Sequence, residues 1–579
     1  MTYQESQFNG QAVRPLLRWA DFSAIFVKIT LLFAIIFTLF FAGLAQAAGE
    51  GTAPDAGRLL EQIERELDLK PATRLPEVEE QSVPTADDQG TLITVKQFIF
   101  IGNRMLSKET LQAAVAPLLN RPISVTELKT SLNLITAVYR KNGYLVTATW
   151  PEQDITEGVG QIKVVEAVLG EIKFDGSYGK DFKRVKPQVF ERYILAATPK
   201  GKPLNQDKLG VALTLIDDLS GANAEGTLQA GAAEGSTDVL LKVKDQPLLS
   251  GYLIVDNTNG RQTGREKATA TLSIASPTGY GDNLSLTALH SKGTDYVRLS
   301  YKLPVGSSGL QISGTASTMR YDVIAPEYSA SKLSGQSDAF GLQAQYPLMR
   351  NKTSKLMMSV DLDQKYFTNK VAVVTDSDYK VQVAAISLSL DHTDGWLAGA
   401  QSNATINLGV GRVGEGAKDS QTLGDYLRLR LNANRNQFLS DSVSLNLSGS
   451  ALLANKNLDS SEKFYLGGVG GVRAYPTSEG AGSAGFMTIA ELFKYFPNNI
   501  SASTFVDYGR IKQCENCNAP SYSLKGYGAS IAWQGPYRTN VKATYAHRFG
   551  HNPNAATNGD DQDGSKHYDV FWLNGGINF

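Results

Sequence analysis

The segment from Asp295 to Val305, DYVRLSYKLPV, decides the fold of the longer part of this chain. Side chains on an extended strand point alternately to its two faces, and here Val297, Leu299, Tyr301 and Leu303 share one face. The opposite face is polar. Three more segments of similar length repeat this alternation: DNLSLTALHS from Asp282, DYLRLRLNANR from Asp425 and DSVSLNLSGS from Asp441.

The polar faces of these segments separate two possible architectures. They carry Ser285, Thr287, Arg298, Ser300, Lys302, Arg428, Arg430 and Asn432. A soluble sandwich would also alternate, because it buries one face of each sheet. Strongly polar side chains over a uniform strand length instead favour a closed barrel with lipid outside and water inside, since no backbone group can remain unpaired in hydrocarbon.

The size of this region sets the number of strands. Residues 248–579 allow roughly 16 strands at about 20 residues for each strand and its connection, an even number as bacterial barrels require. We therefore expect a mainly β protein with a 16-stranded antiparallel transmembrane barrel over residues 248–579. The chain ends on VFWLNGGINF, and its last residue, Phe579, is similar to the terminal aromatic signal for outer-membrane insertion.

The N-terminal segment predicts export. Lys28 precedes an uncharged apolar run from Ile29 to Leu44, and Ala45-Gln46-Ala47 supplies the small-x-small pattern of a signal peptidase site. We expect a signal peptide over residues 1–47. The alternative is an inner-membrane anchor, but this run is shorter than the roughly 20 apolar residues that a spanning helix needs.

A polar amphipathic helix is predicted after the signal peptide, within residues 48–69. Leu60, Ile63 and Leu67 fall on one face, and the other faces are crowded with charge. Such a helix suits a wet cavity, and a solvated helix at a terminus fits the pattern equally well.

Residues 70–90 contain three prolines and many acidic residues, which predicts an extended periplasmic linker.

Two small α+β modules follow, over residues 91–168 and 169–247. Each is predicted to run β-α-α-β-β, and the alternation of the first strand places Ile93, Val95, Ile99 and Ile101 on one face. A small open sheet leaves strand edges that can accept an extended segment of another polypeptide. The edges can equally be covered, so a binding role remains open at this point.

Composition argues against several classes of function. The 56 Lys and Arg residues balance 57 Asp and Glu residues, which gives a net charge of −1 and argues against a nucleic-acid partner bound by bulk electrostatics. No glycine-rich phosphate loop occurs, and nothing connects any of the five histidines to an activated serine. We expect no catalytic residues, no metal site, no cofactor and no enzymatic activity.

Two short motifs carry a resemblance to a known family. Val472-Arg473-Ala474-Tyr475 resembles the Val-Arg-Gly-aromatic motif in the sixth extracellular loop of the outer-membrane transporters of two-partner secretion, and Phe505-Val506-Asp507-Tyr508-Gly509 resembles their Phe-x-Asp-x-Gly strand motif. The resemblance covers nearly the whole mature chain. It implies a plug helix, a linker, two polypeptide-transport-associated (POTRA) domains and a 16-stranded barrel.

The resemblance also implies a contact inside the barrel. In the family this loop folds back into the lumen, and its arginine meets the aspartate of the later strand, which assigns Arg473 to Asp507. The planar guanidinium matches a carboxylate, and glycines let the loop approach the wall. Ala474 departs from the family pattern, which usually has glycine there, and a positive φ would strain alanine.

Two cysteines, Cys514 and Cys517, stand in a loop that the family places outside the cell. Cys-x-x-Cys can indicate redox or zinc chemistry in a cytosolic protein. In an oxidising compartment and without a nearby histidine, a small loop-closing disulfide is the favoured interpretation.

The implied function is a protein-conducting channel of the bacterial outer membrane, with POTRA domains in the periplasm. Its cargo would be a secreted exoprotein of the haemolysin, adhesin or contact-dependent toxin type, moved without ATP. Outer-membrane lipids and, during biogenesis, the barrel-assembly machinery are the other expected partners. Two alternatives stay open: a barrel-assembly insertase, which shares the fold and the loop motif, and a passive porin, which would not need two periplasmic modules.

Overall fold

The computed structural model describes most of the predicted mature chain. The described residues are 53–67, 93–153, 155, 157–175, 184–515 and 519–579. The predicted signal peptide and the linker predicted over residues 70–90 lie outside them. Within the described part of the chain, no helix is both long enough and apolar enough to cross a membrane.

The first described element is helix α1, Ala56–Leu67. Asp55 caps it, because the Asp55 carboxylate accepts a hydrogen bond of 2.9 Å from the backbone N–H of Arg58. The helix has an apolar stripe at the spacing that the sequence predicts, and it lies inside the barrel described below.

The first α+β module packs two helices on one face of a small sheet. Its sheet has the order β2-β5-β4, with β2 parallel and β4 antiparallel to the central strand. A capping box between Ser124 and Glu127 starts the longer helix. The elements are β1 Ile93–Thr94, β2 Gln97–Ile101, α2 Lys108–Val115, β3 Pro122–Ile123, α3 Val125–Lys141, β4 Val146–Thr149 and β5 Val159–Glu166.

One face assignment in this module is wrong. The predicted first strand is interrupted after Thr94, so the side-chain alternation restarts in β2. Phe98 and Phe100 are buried in the module core, while Ile99 and Ile101 are exposed on the other face. A shift of one residue exchanges the two faces of a strand, and a single continuous strand could not account for the interruption.

The second module repeats the arrangement of the first. Its sheet has the order β6-β8-β7, with β6 parallel to the central strand. The two modules are joined directly, because the backbone N–H of Leu204 bonds the carbonyl of Ala167 at 2.8 Å. The elements are β6 Val168–Phe174, α4 Pro187–Ala197, α5 Gln206–Asp217, β7 Ala222–Ala230 and β8 Ser236–Asp245.

The remainder of the chain forms one closed antiparallel barrel of 16 strands, which confirms the expected fold class. Two short strands, β20 and β21, are not part of the barrel wall and pair with each other within the connection between β19 and β22. The strands are β9 Leu249–Asp256, β10 Lys267–Ala275, β11 Asn283–Ser291, β12 Thr294–Val305, β13 Leu310–Asp322, β14 Leu333–Arg350, β15 Ser354–Val371, β16 Val374–Asp394, β17 Ala400–Val413, β18 Gly424–Ser440, β19 Val443–Ala454, β20 Phe464–Tyr465, β21 Ala481–Gly482, β22 Ala484–Phe496, β23 Ile500–Lys512, β24 Tyr522–Gln534, β25 Thr539–Arg548 and β26 Asp569–Asn578.

The two ends of the barrel differ. The second module packs against the end with short turns, which we call the module end: the Arg350 guanidinium holds the Asp218 carboxylate at 2.9 Å and 3.1 Å, and Lys186 N–H bonds the Gly279 carbonyl at 2.9 Å. The longer connections lie at the opposite end, which we call the loop end. The connection between β19 and β22, residues 455–483, is the sixth at the loop end, and we call it loop 6.

The outward face of the barrel changes character along the strands. Leu342, Leu362, Ala384, Val410 and Leu427 are aligned across β14 to β18 and face outward. The next outward residues toward the loop end on β15 to β18 are polar: Gln364, Gln382, Arg412 and Asp425. These strands therefore extend beyond the apolar belt that a bilayer would cover.

The first and last strands close the barrel. Tyr252 to Asp256 pair with Asn574 to Asn578, and Gly251 and Phe579 exchange two backbone hydrogen bonds of 3.0 Å. The Phe579 ring lies against Gly251, since a Cβ on that glycine would come within 2.8 Å of it. Tyr252 and Asn578 are consequently a directly opposed pair without mutual backbone hydrogen bonds, the pair type with the shorter Cα separation.

This register predicts a specific disulfide. Tyr252→Cys combined with Asn578→Cys, in a chain carrying Cys514→Ser and Cys517→Ser, should cross-link on mild oxidation, because such pairs lie about 4.5 Å apart between Cα atoms, within disulfide range. The cross-link is read as a mobility shift that reducing agent reverses. Tyr252→Cys with Asn574→Cys is the control, since it moves one cysteine about 13 Å along the strand. Equal cross-linking of both pairs would contradict the register.

Candidate functional site

Loop 6 folds into the barrel and carries the sequence motif to the inner wall. Val472, Arg473, Ala474 and Tyr475 are all buried. A tight turn presents them: Val472 N–H bonds the Leu466 carbonyl at 2.7 Å, and Tyr475 N–H bonds the Val472 carbonyl at 3.1 Å. Gly471 is required here, because a Cβ at this position would overlap the Leu466 carbonyl.

Arg473 is held by two carboxylates. Its Nε and Nη2 donate to Asp507 Oδ2 and Oδ1 at 3.0 Å and 2.7 Å, and its Nη1 donates to Glu491 Oε2 at 2.8 Å. The backbone N–H of Arg473 also bonds Asp507 Oδ2 at 3.0 Å. The guanidinium stacks on the Phe505 ring at 3.3 Å from its centroid. This forked, doubly paired geometry is available to arginine and not to lysine.

The strand motif places its residues on the lumen face by alternation. Phe505, Asp507 and Gly509 are all buried inward-facing residues of β23, while Val506 points outward. Gly509 leaves room for Leu466 of loop 6, since a Cβ there would come within 2.6 Å of the leucine side chain. The Phe-x-Asp-x-Gly spacing thus supplies a stacking ring, a charge and a space on one face.

Ala474 occupies its position without backbone strain. It is not among the residues with positive φ, so the conformation that would disfavour alanine does not arise. Its methyl group faces Gly526 on β24, where an added Cβ would approach within 2.7 Å. The wall glycine therefore leaves the space that the alanine side chain uses.

Three residues of this site were not identified from the sequence. Glu491 lies inward on β22, and its other oxygen accepts a bond of 2.6 Å from Ser503. Trp572 on the last strand donates its indole N–H to the Arg473 carbonyl at 2.9 Å. Arg548 lies 4.5 Å from the centre of the Tyr475 ring. The inward position of each on an alternating strand was a signal, but strand pairing was needed to bring them together.

Helix α1 also lies in the lumen, and loop 6 separates it from the part of the wall that holds Arg473. Leu60 and Ile63 are buried, and Leu67 is partly buried against the same cluster. The helix shares one buried apolar cluster with Leu458 of loop 6 and with side chains from five barrel strands: Tyr296, Tyr321, Phe367, Tyr379 and Tyr426. The structure thus places the amphipathic helix in the cavity, and the solvated alternative is not the one observed.

The acidic face of α1 meets basic side chains of the barrel wall. Glu66 pairs with Lys267 on β10. Glu64 lies 3.8 Å from Lys365 on β15, and Glu61 lies 3.8 Å from Arg430 on β18. Two of these three ion pairs are therefore at the outer limit of direct contact.

The basic face of α1 contacts the backbone of loop 6. Arg65 donates to the Tyr465 carbonyl at 2.8 Å, and Arg58 donates to the Ser478 carbonyl at 3.5 Å. Gln62 accepts from the Ser478 hydroxyl at 3.2 Å. The helix is thus held between the wall and loop 6.

Two buried carboxyl groups near α1 have opposite electrostatic environments. Burial raises the pKa of Glu61, with Arg65 and Arg430 acting against it. Burial also acts to raise the pKa of Glu462 in loop 6, but Arg428, Lys365 and Arg430 outweigh it and lower this pKa to about 2. The Glu462 carboxylate of loop 6 is well compensated and the Glu61 carboxylate of α1 is not.

Only one of the two cysteines of the predicted disulfide lies among the described residues. Cys514 is disulfide-bonded, and Cys517 lies outside the described residues. Among the residues that the structure describes, no group of three or more His, Cys, Asp or Glu side chains could hold a metal ion.

Comparisons with known proteins agree with this architecture. Residues 93–167 match the POTRA domain, ShlB-type, and residues 235–533 match the family described as haemolysin secretion/activation protein ShlB/FhaC/HecB. The chain is 25% identical over 517 residues to the heme/hemopexin transporter protein HuxB of Haemophilus influenzae (strain 86-028NP), covering 84% of this chain and 90% of that protein. It is 22% identical over 468 residues to the outer membrane transporter CdiB of Escherichia coli O6:K15:H31 (strain 536 / UPEC), covering 77% and 75%.

A solved structure shares the fold. CdiB from Escherichia coli superposes with a TM-score of 0.69 at 19% identity, covering 97% of this chain and 99% of that one. The family match extends over more than half of the sequence. The chain therefore belongs to the ShlB/FhaC/HecB family, the outer-membrane transporters of two-partner secretion, with its POTRA domain region in the periplasm and a secreted exoprotein as its partner.

Proposed function

We propose that this protein conducts one unfolded exoprotein, of the haemolysin, adhesin or contact-dependent toxin type, through the barrel lumen. The observation that carries the proposal is the position of α1, which fills part of the lumen and is connected to the modules through residues 68–92. A porin would have no use for such an element. The sheets of the two periplasmic modules have edge strands that can capture the cargo by strand addition.

Transport in this proposal does not consume ATP. The periplasm offers no nucleotide, so the driving force is the folding of the cargo outside the cell, which prevents its return. The wet lumen is compatible with an extended chain, because the two large apolar clusters of its wall lie beneath α1 and loop 6.

The remaining partners follow from the barrel surface. The apolar outward belt matches outer-membrane lipid, and the exposed terminal Phe579 is a suitable signal for the barrel-assembly machinery. Arg473, held against Asp507 and Glu491, acts as the anchor of loop 6 inside the lumen.

Removal of the protein tests the transport function directly. In a strain lacking this chain, the exoprotein encoded with it should accumulate or be degraded in the periplasm and disappear from the surface and medium. Immunoblots of the cell fractions measure this, and a plasmid copy should restore secretion. Undiminished secretion without the protein would refute the proposal.

Deletion of Ala56 to Leu69 tests the plug. The purified variant should show a higher ion conductance in planar bilayers, because the lumen volume filled by α1 becomes open to water and ions. Pro76→Ser with Pro84→Ser is the control, since it changes the linker and leaves α1 intact. An unchanged conductance of the deletion variant would rule out the plug role.

Substitution of Arg473 tests the anchor. Arg473→Ala leaves two buried carboxylates without their partner, which should destabilise the docked state of loop 6 by roughly 3–5 kcal/mol. Removing those charges as well, by Asp507→Asn and Glu491→Gln, should recover part of this loss. Protease cleavage of loop 6 in folded, detergent-solubilised protein measures both effects.

A matched substitution sets the scale for this test. Arg412 makes a similar fork with Asp425, but their side chains are 66% and 69% exposed on the outer surface. Arg412→Ala should leave stability nearly unchanged, because water screens an exposed ion pair. Equal sensitivity of the Arg412 and Arg473 variants would argue against a special role of the buried pair.

A further inference from the structure

The surface beneath α1 is unusual for the wall of a water-filled lumen. We call it the cradle, and it consists of five aromatic side chains with three basic ones at its borders: Tyr296, Tyr321, Phe367, Tyr379, Tyr426, Lys267, Lys365 and Arg430. The aromatic rings form one apolar patch with Leu59, Leu60 and Ile63 of α1, and Leu458 of loop 6 belongs to the same patch. If α1 leaves, this patch faces the transport path.

The three basic side chains of the cradle have acidic or polar partners other than those on α1. Lys267 keeps Asp256 at 3.5 Å and the Thr258 hydroxyl at 2.7 Å. Lys365 and Arg430 keep Glu462 of loop 6 at 3.3 Å and 3.8 Å. Each basic group therefore retains a partner when its plug glutamate departs, so departure leaves no buried charge alone. The cradle is a preformed surface rather than one that α1 creates.

The plug is a weakly optimised ligand for this surface. A helix of 12 residues is only marginally stable in water on its own. The cradle therefore recognises the pattern of apolar and acidic side chains and does not require a segment that is helical before it binds. The Glu61 carboxylate is 3.8 Å from Arg430, and its Oε2 has no hydrogen-bond partner among the described residues. A segment with the same pattern and better placed acids can compete with it.

The cradle spans the level at which the outward face of the barrel becomes polar. Phe367 and Tyr379 are on the loop side of the row of polar outward residues, whereas Tyr426 and Arg430 are on its module side. A chain moving outward therefore meets this surface along the loop-end half of its path through the barrel.

We propose that the cradle is a binding site for the exoprotein: it takes an acidic amphipathic segment of the passing chain, in direct competition with α1. This inference deepens the transport function proposed above and rests on it. The segment has apolar residues at the spacing of Leu59, Leu60 and Ile63 and acidic residues beside them. Its binding keeps α1 displaced.

Synthetic peptides added to the unplugged protein test the site. With Ala56 to Leu69 deleted, a peptide of residues 53–69 should reduce bilayer conductance, and so should an unrelated peptide with the same apolar and acidic positions. A peptide of the same composition in scrambled order should not. Fluorescence anisotropy of the labelled peptides in detergent gives a second readout, with full-length protein carrying Leu60→Asp and Ile63→Asp as a second unplugged form.

Barrel variants show where the peptide binds. Lys365→Gln with Arg430→Gln should weaken binding of the pattern peptide about tenfold, as expected for two partly exposed ion pairs. Lys302→Gln is the control, because Lys302 lies on β12 near the module end. Raising the salt concentration should weaken binding to the original barrel more than to the double variant.

The outcomes separate this inference from the transport function. Equal blocking by the scrambled peptide, or equal binding to the Lys365 and Arg430 double variant, would overturn the cradle as a site. Secretion would still depend on the protein in that case. If the strain that lacks the whole protein secretes its exoprotein normally, the transport function itself is refuted, whatever the result of the peptide experiments.

Discussion

The arrangement of loop 6 and α1 inside the lumen depends on one buried charge, the Arg473 guanidinium, and on the groups that compensate it. A buried guanidinium without partners would be strongly unfavourable, and here two carboxylates on neighbouring strands compensate it. Because the Arg473 backbone N–H also bonds Asp507, the loop itself is fixed and not only the side chain. Loop 6 then presents the Tyr465 and Ser478 carbonyls that hold the basic side chains of α1. The position of α1 thus depends in part on the ion pair that fixes loop 6 to the wall.

The two objects inside the lumen are held in different ways. Loop 6 has a forked ion pair, a stacked ring and an indole hydrogen bond at its tip, all of normal length. Helix α1 has an apolar face, single hydrogen bonds such as that of Arg65 with the Tyr465 carbonyl at 2.8 Å, and ion pairs of which two are 3.8 Å long. Charge networks of the first kind resist partial separation, whereas apolar contact can be exchanged for contact with another apolar segment. This contrast favours a transport cycle in which α1 moves and loop 6 stays.

The alternation of the barrel strands could be predicted from the sequence because each strand meets water on one side and an apolar environment on the other. The Arg473 and Asp507 contact came from the resemblance of two motifs. Glu491 could not be found in that way, since one inward acid on an alternating strand looks like any other polar residue until the register of β22 and β23 is known. The cradle was equally hidden, because its aromatic residues come from five separate strands. The sequence assigned Ile99 and Ile101 to the buried face, whereas Phe98 and Phe100 are buried. This error arose because an interruption of the strand shifts the alternation by one residue.

Ala474 shows which constraint acts at the loop tip. Where the family usually has glycine, this chain has an added methyl group, and the backbone there does not require positive φ. The methyl group faces Gly526, and the Trp572 indole reaches the adjacent carbonyl of Arg473. A second Cβ on the wall would collide with the first at 2.7 Å. The requirement is therefore for a small combined volume of two residues that face each other, one in loop 6 and one in β24. Alanine is compatible with the docked loop because the wall residue opposite to it is glycine.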